Sequence, residues 1–230
     1  MNITMIHGQN RKGSTYHIAR MVAEKISGNI DEFFLPNDFG AGCFGCFVCV
    51  DKGKEYCPNY NKIEAIYRSM LSSDVIIISS ATYVMEMTGH LKNFFDHLFS
   101  SWLSHSPEPS MFSKTGVVVS TAAGLGMIGV TKSLAKQLFW LGVPKVYRLS
   151  AAVGASSWDK AKGKERINAK INKIVQKIVR KRGKVKPGIK FRFIFNMMRQ
   201  MHKNNDWTPL DREHWQRHGW LGRKRPYKNI

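Results

Sequence analysis

Cysteine is scarce in this sequence: only four of 230 residues are Cys, and all four lie between residues 43 and 57. A secreted disulfide framework spreads its cysteines to staple distant segments. This crowding argues against one and points to a local metal or redox loop. No uncharged apolar run approaches the roughly 20 residues of a membrane-spanning helix. The opening Met1-Asn2-Ile3-Thr4-Met5-Ile6 lacks the basic start and small-residue cleavage site of a secretory signal, so the expected location is the cytoplasm. Internal repeats and low-complexity segments are absent. Hydrophobic residues at 43%, with 11% aromatics, exclude a disordered polymer. Acidic residues are few, 16 against 36 Lys and Arg, and the shortage is local. Residues 1–155 carry a net charge of +3, whereas residues 156–230 carry +17 of the total +20.

The elements that are present alternate. Strands are predicted at residues 3–6, 32–35, 74–80, 115–121 and 145–153, those at 3–6, 74–80 and 115–121 as buried ones. The run Asp74-Val75-Ile76-Ile77-Ile78-Ser79-Ser80 has no exposed alternate face, the pattern of a strand covered on both sides. Helices are predicted over 14–26, 61–71, from Thr88 through Phe99, from about 126 to Leu141, and over 158–181. The last has Ile167, Ile171, Ile174 and Ile178 on its inner face. Gly142 is placed to end the fourth helix. Five strand–helix units predict an α/β fold with a parallel sheet over residues 1–182, followed by a basic, aromatic-rich extension over 183–230.

Open parallel sheets bind ligands beyond the carboxyl ends of their strands. Three loops leave such ends, at 7–15, 80–89 and 121–126, and are expected to converge on one rim. The first, His7-Gly8-Gln9-Asn10-Arg11-Lys12-Gly13-Ser14-Thr15, is rich in amide and hydroxyl donors. Free N–H groups at a helix start, beside the Ser14 and Thr15 hydroxyls, suit a phosphate dianion; a merely capped helix start is the plainer reading. The pattern G-x-G-x-x-G fails because residue 10 is Asn. The P-loop pattern is nearly met by Gly8 and Gly13-Ser14-Thr15 but lacks its lysine, which argues against nucleoside triphosphate hydrolysis. In the second loop Tyr83 can lie flat against a planar ligand or simply pack. The third, Thr121-Ala122-Ala123-Gly124, has no bulky side chain, so its backbone can approach a ring edge or make a tight turn.

These loops make the chain resemble the flavodoxin-like NAD(P)H-dependent FMN reductases, and among them the branch with a compact cysteine loop, the iron–sulfur flavoproteins. Gly8, Arg11 and Thr15 match the opening loop, with Gln9 and Ser14 where Ser and Asn are usual. Ser80, Tyr83, Leu91, Lys92, Phe94 and Asp96 match the second stretch, with Ala81 replacing proline and His97 replacing arginine. Ala122-Ala123-Gly124 matches the small-residue loop, and the resemblance covers about residues 1–155. It implies a three-layer flavodoxin-like sandwich, a sheet in the order 2-1-3-4-5, and FMN at the rim. By position, Gln9, Arg11, Ser14 and Thr15 would hold the phosphate. Ala81, Thr82, Tyr83 and Val84 would line the flavin, and Thr121, Ala122, Ala123 and Gly124 would meet its pyrimidine edge. The implied activity is hydride transfer from NAD(P)H to FMN and onward to a quinone, small-molecule or protein acceptor, in a homo-oligomer. Such chemistry requires no protein nucleophile, and no catalytic acid–base pair is expected. The alternatives are an iron–sulfur electron carrier served by a ferredoxin-like partner, and a membrane-surface or nucleic-acid binding protein on a flavodoxin-like scaffold.

Cys43-x2-Cys46-x2-Cys49-x7-Cys57 matches the spacing of the iron–sulfur branch. Four thiolates from one loop suit a [4Fe–4S] cluster or a zinc ion, and the same loop also reads as a covering element with no metal. In the extension, Phe191, Ile194, Phe195 and Met198 recur at helical spacing among basic residues. Such a helix lies on an anionic membrane surface or packs on the protein. Trp207, Trp215 and Trp220 suggest a docking segment. Nucleic acid is disfavoured as a partner, since no reading motif accompanies the charge. His7, His97 and His105 read as hydrogen-bonding histidines rather than ligands.

Overall fold

The computed structural model describes residues 1–154, 157–182, 185–204 and 206–227. The expected boundary at residue 183, and Lys184 at the start of the basic amphipathic segment, lie outside the described residues. Five parallel strands, β1 (Asn2–His7), β2 (Asn29–Phe34), β3 (Val75–Ala81), β4 (Thr115–Ala122) and β5 (Lys145–Ala152), form one sheet in the order β2-β1-β3-β4-β5. Strand residues alternate between two cores because successive side chains point to opposite faces. Ile6, Ile76, Ile78 and Val118 pack beneath α3 (Tyr60–Ser72), α4 (Gly89–Asp96) and α5 (Met127–Trp140). Ile3, Met5, Val75, Ile77, Val117 and Val119 pack against α1 (Ser14–Ile26) and α6 (Lys164–Arg180).

Register brings the strand ends level: His7 pairs with Ser79, Ala81 with Thr121, and Ala122 with Ala152. The three loops predicted to carry chemistry therefore leave one edge of the sheet. The sheet order and helical layers agree with the predicted architecture, with local corrections: β2 begins at Asn29, three residues before the predicted start, and α4 ends at Asp96, short of the predicted Phe99, which lies in a separate 3-10 turn. Helix α6 begins at Lys164, six residues later than predicted, because Gly163 before it is left-handed (φ 69°). Its buried residues are Ile167, Ile171, Val175 and Ile178, so Val175 takes the inner place predicted for Ile174, which is only partly buried. A short helix α2 (Val48–Asp51) inside the cysteine loop had no periodic signal at four residues.

The extension folds back as α7 (Ile189–Lys203) and α8 (Pro209–Arg217). Phe191, Phe195 and Met198 bury themselves with Leu103, Phe112, Trp215 and Trp220 in a third core. The helix face offered to a membrane by the sequence reading is therefore the face that packs on the protein. Polar contacts fix the same interface. Asp211 accepts from Ser106 Oγ and bonds His105 Nδ1, both at 2.8 Å, while Trp215 Nε1 donates to the His105 carbonyl at 2.6 Å. Trp207 stays exposed.

Candidate functional site

The ends of β1, β3 and β4 surround an open cleft of about 200 Å³. It lies between β1 and β3, where the chain changes direction across the sheet, the usual ligand position in open parallel sheets. Gln9, Arg11, Ser14 and Thr15 line it from the first loop, Ala81, Thr82 and Tyr83 from the second, and Thr121, Ala122 and Ala123 from the third. Two predicted residues are not in its lining. Val84 sits at the tip of a tight turn and is 98% exposed, and Gly124 lies just past the Ala122-Ala123 lining in the exposed part of its loop. The cleft also takes in His7, Gly13, Tyr16, Ser79 and Val153, which the sequence reading did not assign to the site. For Val153 the structural cause is its N–H bond to the Ala122 carbonyl at 3.0 Å, which draws the end of β5 onto the third loop.

The first loop is held by close approach. Gly8 donates to the Ser79 carbonyl at 2.9 Å, and a Cβ on Gly8 would stand 2.4 Å from Thr88 Oγ1 and 2.6 Å from Leu91 Cδ1. Helix α1 then opens at Ser14 with no side-chain cap and no acidic residue in its first turn. Its first intrahelical bond runs from His17 N to Gly13 O, so the N–H groups of Ser14, Thr15 and Tyr16 lack helical partners. The Ser14 hydroxyl is buried with no hydrogen-bond partner among the described residues. Among the described residues no carboxylate lines the cleft. Orphaned donors, a buried hydroxyl and an arginine at a helix N-terminus fit a phosphate group.

The other two loops meet above it. Tyr83 and Glu86 exchange backbone hydrogen bonds at 3.1 and 2.9 Å around Val84 (φ 49°) and Met85 (φ 65°). Thr82 N bonds Thr121 O at 3.1 Å, and the Thr15 and Thr121 hydroxyls bond each other. Gly126 (φ 94°) is required here, since a Cβ would come within 2.7 Å of Thr82 Cγ2. Tyr83 is exposed at the mouth. His7 is buried between Ser79 Oγ at 2.7 Å and Glu32 Oε1 at 3.0 Å, and burial pushes its pKa below the usual histidine value.

Cys43, Cys46, Cys49 and Cys57 line a second cavity, of about 330 Å³, with Phe44, Phe47, His97 and Phe99. Asn93 holds its rim: its side-chain oxygen accepts from Cys43 N at 3.1 Å, and its amide donates to Ala41 O. His97 bonds Asn93 O and Asn59, and His105 bonds Asp211; all three histidines named from the sequence are hydrogen-bonded. Burial raises the pKa of Cys49, partly opposed by a hydrogen bond with Ser100. All four thiols are free, and among the described residues no three of His, Cys, Asp or Glu are grouped to hold a metal ion. As placed, the cysteines share a wall without forming a ligand set. The cavity reaches Asp96 and His97, at the far end of α4 and about 10 Å along that helix from the cleft rim.

The sheet order and the cleft at the β1–β3 switch define a flavodoxin-like α/β protein. Solved structures agree on the fold. A flavone reductase superposes with a TM-score of 0.55 at 17% identity, covering 80% of this chain and 64% of its own. An FMN-dependent NADH-azoreductase from Bacillus anthracis, determined with FMN, gives a TM-score of 0.53 at 12% identity, covering 78% and 99%. The chain belongs to the NADPH-dependent FMN reductase family, whose sequence profile matches residues 1–157. Among curated proteins it is similar to an iron–sulfur flavoprotein of Clostridioides difficile, 35% identical over 103 residues (42% of this chain, 45% of the relative). An iron–sulfur flavoprotein of Archaeoglobus fulgidus is 29% identical over 84 residues, 36% of each chain. The matched stretches thus span less than half the length of these relatives.

Proposed function

We propose that this chain is an FMN-dependent oxidoreductase that takes a hydride from NAD(P)H and passes electrons to a quinone, small-molecule or protein acceptor. The observation that carries the proposal is the buried, partnerless Ser14 hydroxyl at an uncapped helix N-terminus in a carboxylate-free cleft. In this reading Ser14, Thr15, Gln9 and Arg11, with the free N–H groups of the first turn, hold the FMN phosphate. Ala81, Thr82 and Tyr83 flank the ring, and Thr121, Ala122 and Ala123 leave room for its edge and offer backbone donors. Bound flavin supplies the hydride acceptance. The protein's part is to bind, orient and shield, and no side chain is assigned a proton-transfer role. The test is steady-state oxidation of NADPH and of NADH by FMN-loaded protein with a soluble quinone. Turnover with one of them is expected, and none with either would contradict the proposal.

A second reading is an iron–sulfur flavoprotein that exchanges single electrons with a ferredoxin-like partner. It is favoured by the four thiols that share one cavity and by the names of the similar curated proteins. As placed, those thiols do not fit a cluster, and no electron step is drawn through them. Roughly four irons per chain in anaerobically purified protein, with no nicotinamide turnover, would favour this carrier.

A further inference from the structure

Helix α7 has two apolar faces, and among the described residues the protein covers one of them. Phe191, Phe195 and Met198 are buried in the third core. On the other side Ile189, Phe193, Met197 and Met201, each four residues from the last, stand exposed, Ile189 by 87% and Phe193 by 66%. Residues four apart stack along one side of a helix, so these four form a continuous stripe of about three turns. Scattered exposed apolar residues are ordinary, whereas a contiguous stripe of this kind marks a contact surface.

The charge of the chain around the stripe, and of the grooves elsewhere on α6 and β5, points to what it contacts. Between Glu165 and Asp206 the sequence holds no acidic residue and 13 Lys and Arg. Lys186, three residues before Ile189, shares a groove with Lys145, Lys177 and Lys181, and no carboxylate lines it. A larger groove along the free edge of β5, about 830 Å³, is lined by Arg148, Lys162, Arg166, Lys170 and Lys173, again without a carboxylate. A second copy bringing the same strongly basic stretch would be repelled. Nucleic acid would be drawn by the charge but has no counterpart for the stripe. An anionic bilayer satisfies both features, because apolar side chains enter the acyl boundary while lysines remain among the headgroups.

We propose that the outer face of α7, through Ile189, Phe193, Met197 and Met201, docks the protein on anionic membrane surfaces, with the lysines of α6 and β5 supplying the attraction. This surface differs from the inner face expected from the sequence, and the proposal is independent of what fills the cleft. The test is flotation of the full chain with vesicles of phosphatidylcholine alone or with about 30% phosphatidylglycerol, at about 0.05 and 0.5 M salt. Binding to the anionic vesicles at low salt is expected, at least about tenfold stronger than to neutral ones. The exposed pair Phe193→Ser/Met197→Ser should lower it about tenfold with unchanged circular dichroism, and Lys177→Glu/Lys181→Glu should lower it with a reduced salt dependence. Absence of flotation with anionic vesicles would overturn the proposal. So would full binding by the Phe193→Ser/Met197→Ser protein, or a dimer in sedimentation that this pair dissociates while vesicle binding persists. Duplex DNA binding tighter than vesicle binding would assign the lysines to nucleic acid instead.

Discussion

Gly8 and Ser14 constrain the first loop in opposite ways. Gly8 has no space for a side chain, so Gly8→Ala must displace Thr88 and Leu91. A loss of about 1–3 kcal/mol in urea unfolding is expected, together with weaker cofactor retention as the loop shifts. Ser14 has space but no partner. Removing an unsatisfied buried hydroxyl costs the free chain little, so Ser14→Ala should leave its melting temperature unchanged or slightly raised. The same change should weaken FMN binding about tenfold, the worth of one hydrogen bond to a charged group. A melting temperature that falls with the affinity would instead make Ser14 a packing residue. The first loop was legible in the sequence because helix N-termini always leave donors over, and hydroxyls placed there advertise the use. Ser79 and Val153 were not legible, since only the parallel register and the Val153–Ala122 bond bring them to the cleft.

At the scale of elements, the extension is held by contacts that depend on protonation. His214 Nε2 donates to the Pro107 carbonyl at 3.0 Å, and burial lowers the pKa of the ring from 6.5 to about 4. His202 is wholly buried against Trp215 at 4.8 Å, and burial lowers its pKa as well. A histidine with a depressed folded pKa contributes stability that is full above the unfolded value. That stability is lost as pH falls, because the unfolded chain takes the proton first. Docking of α7 and α8 should therefore weaken between about pH 6.5 and pH 4, by about 2 kcal/mol for His214 after its partial exposure is allowed for. Tryptophan emission from Trp215 and Trp220 should shift to the red over this range, and replacing His202 by Leu should blunt the shift. Emission that stays constant down to pH 4 would contradict this. The inner face of α7 was legible in the sequence, since Phe191, Phe195 and Met198 recur at helical spacing and are the residues the third core buries; the second apolar face, through Phe193 and Met197, was not singled out there. Helix α1, by contrast, matched its predicted span, Ser14–Ile26, since one clear periodic face and one core leave no choice.

At the scale of the whole molecule, two surfaces differ in chemistry. The cleft at the sheet switch has donors and no acid among its described lining residues, whereas the outer face of α7 is an apolar stripe in a stretch of chain rich in Lys and Arg. The alternation of strands and helices was legible from hydrophobic runs alone. The strand order came from resemblance, because local patterning does not say which strands become neighbours. The cysteine spacing announced a shared site, but the path of that loop depends on Asn59, Asn93 and His97 at long sequence distance. The account as a whole rests on the cleft at the end of β1. Its most direct test is a titration of the purified, ligand-free chain with FMN, followed by flavin fluorescence and by retention of yellow colour after desalting. Quenching that saturates at about one FMN per chain, weakened about tenfold in Ser14→Ala, is the predicted result. Unquenched flavin and a colourless desalted protein would contradict the assignment of this cleft.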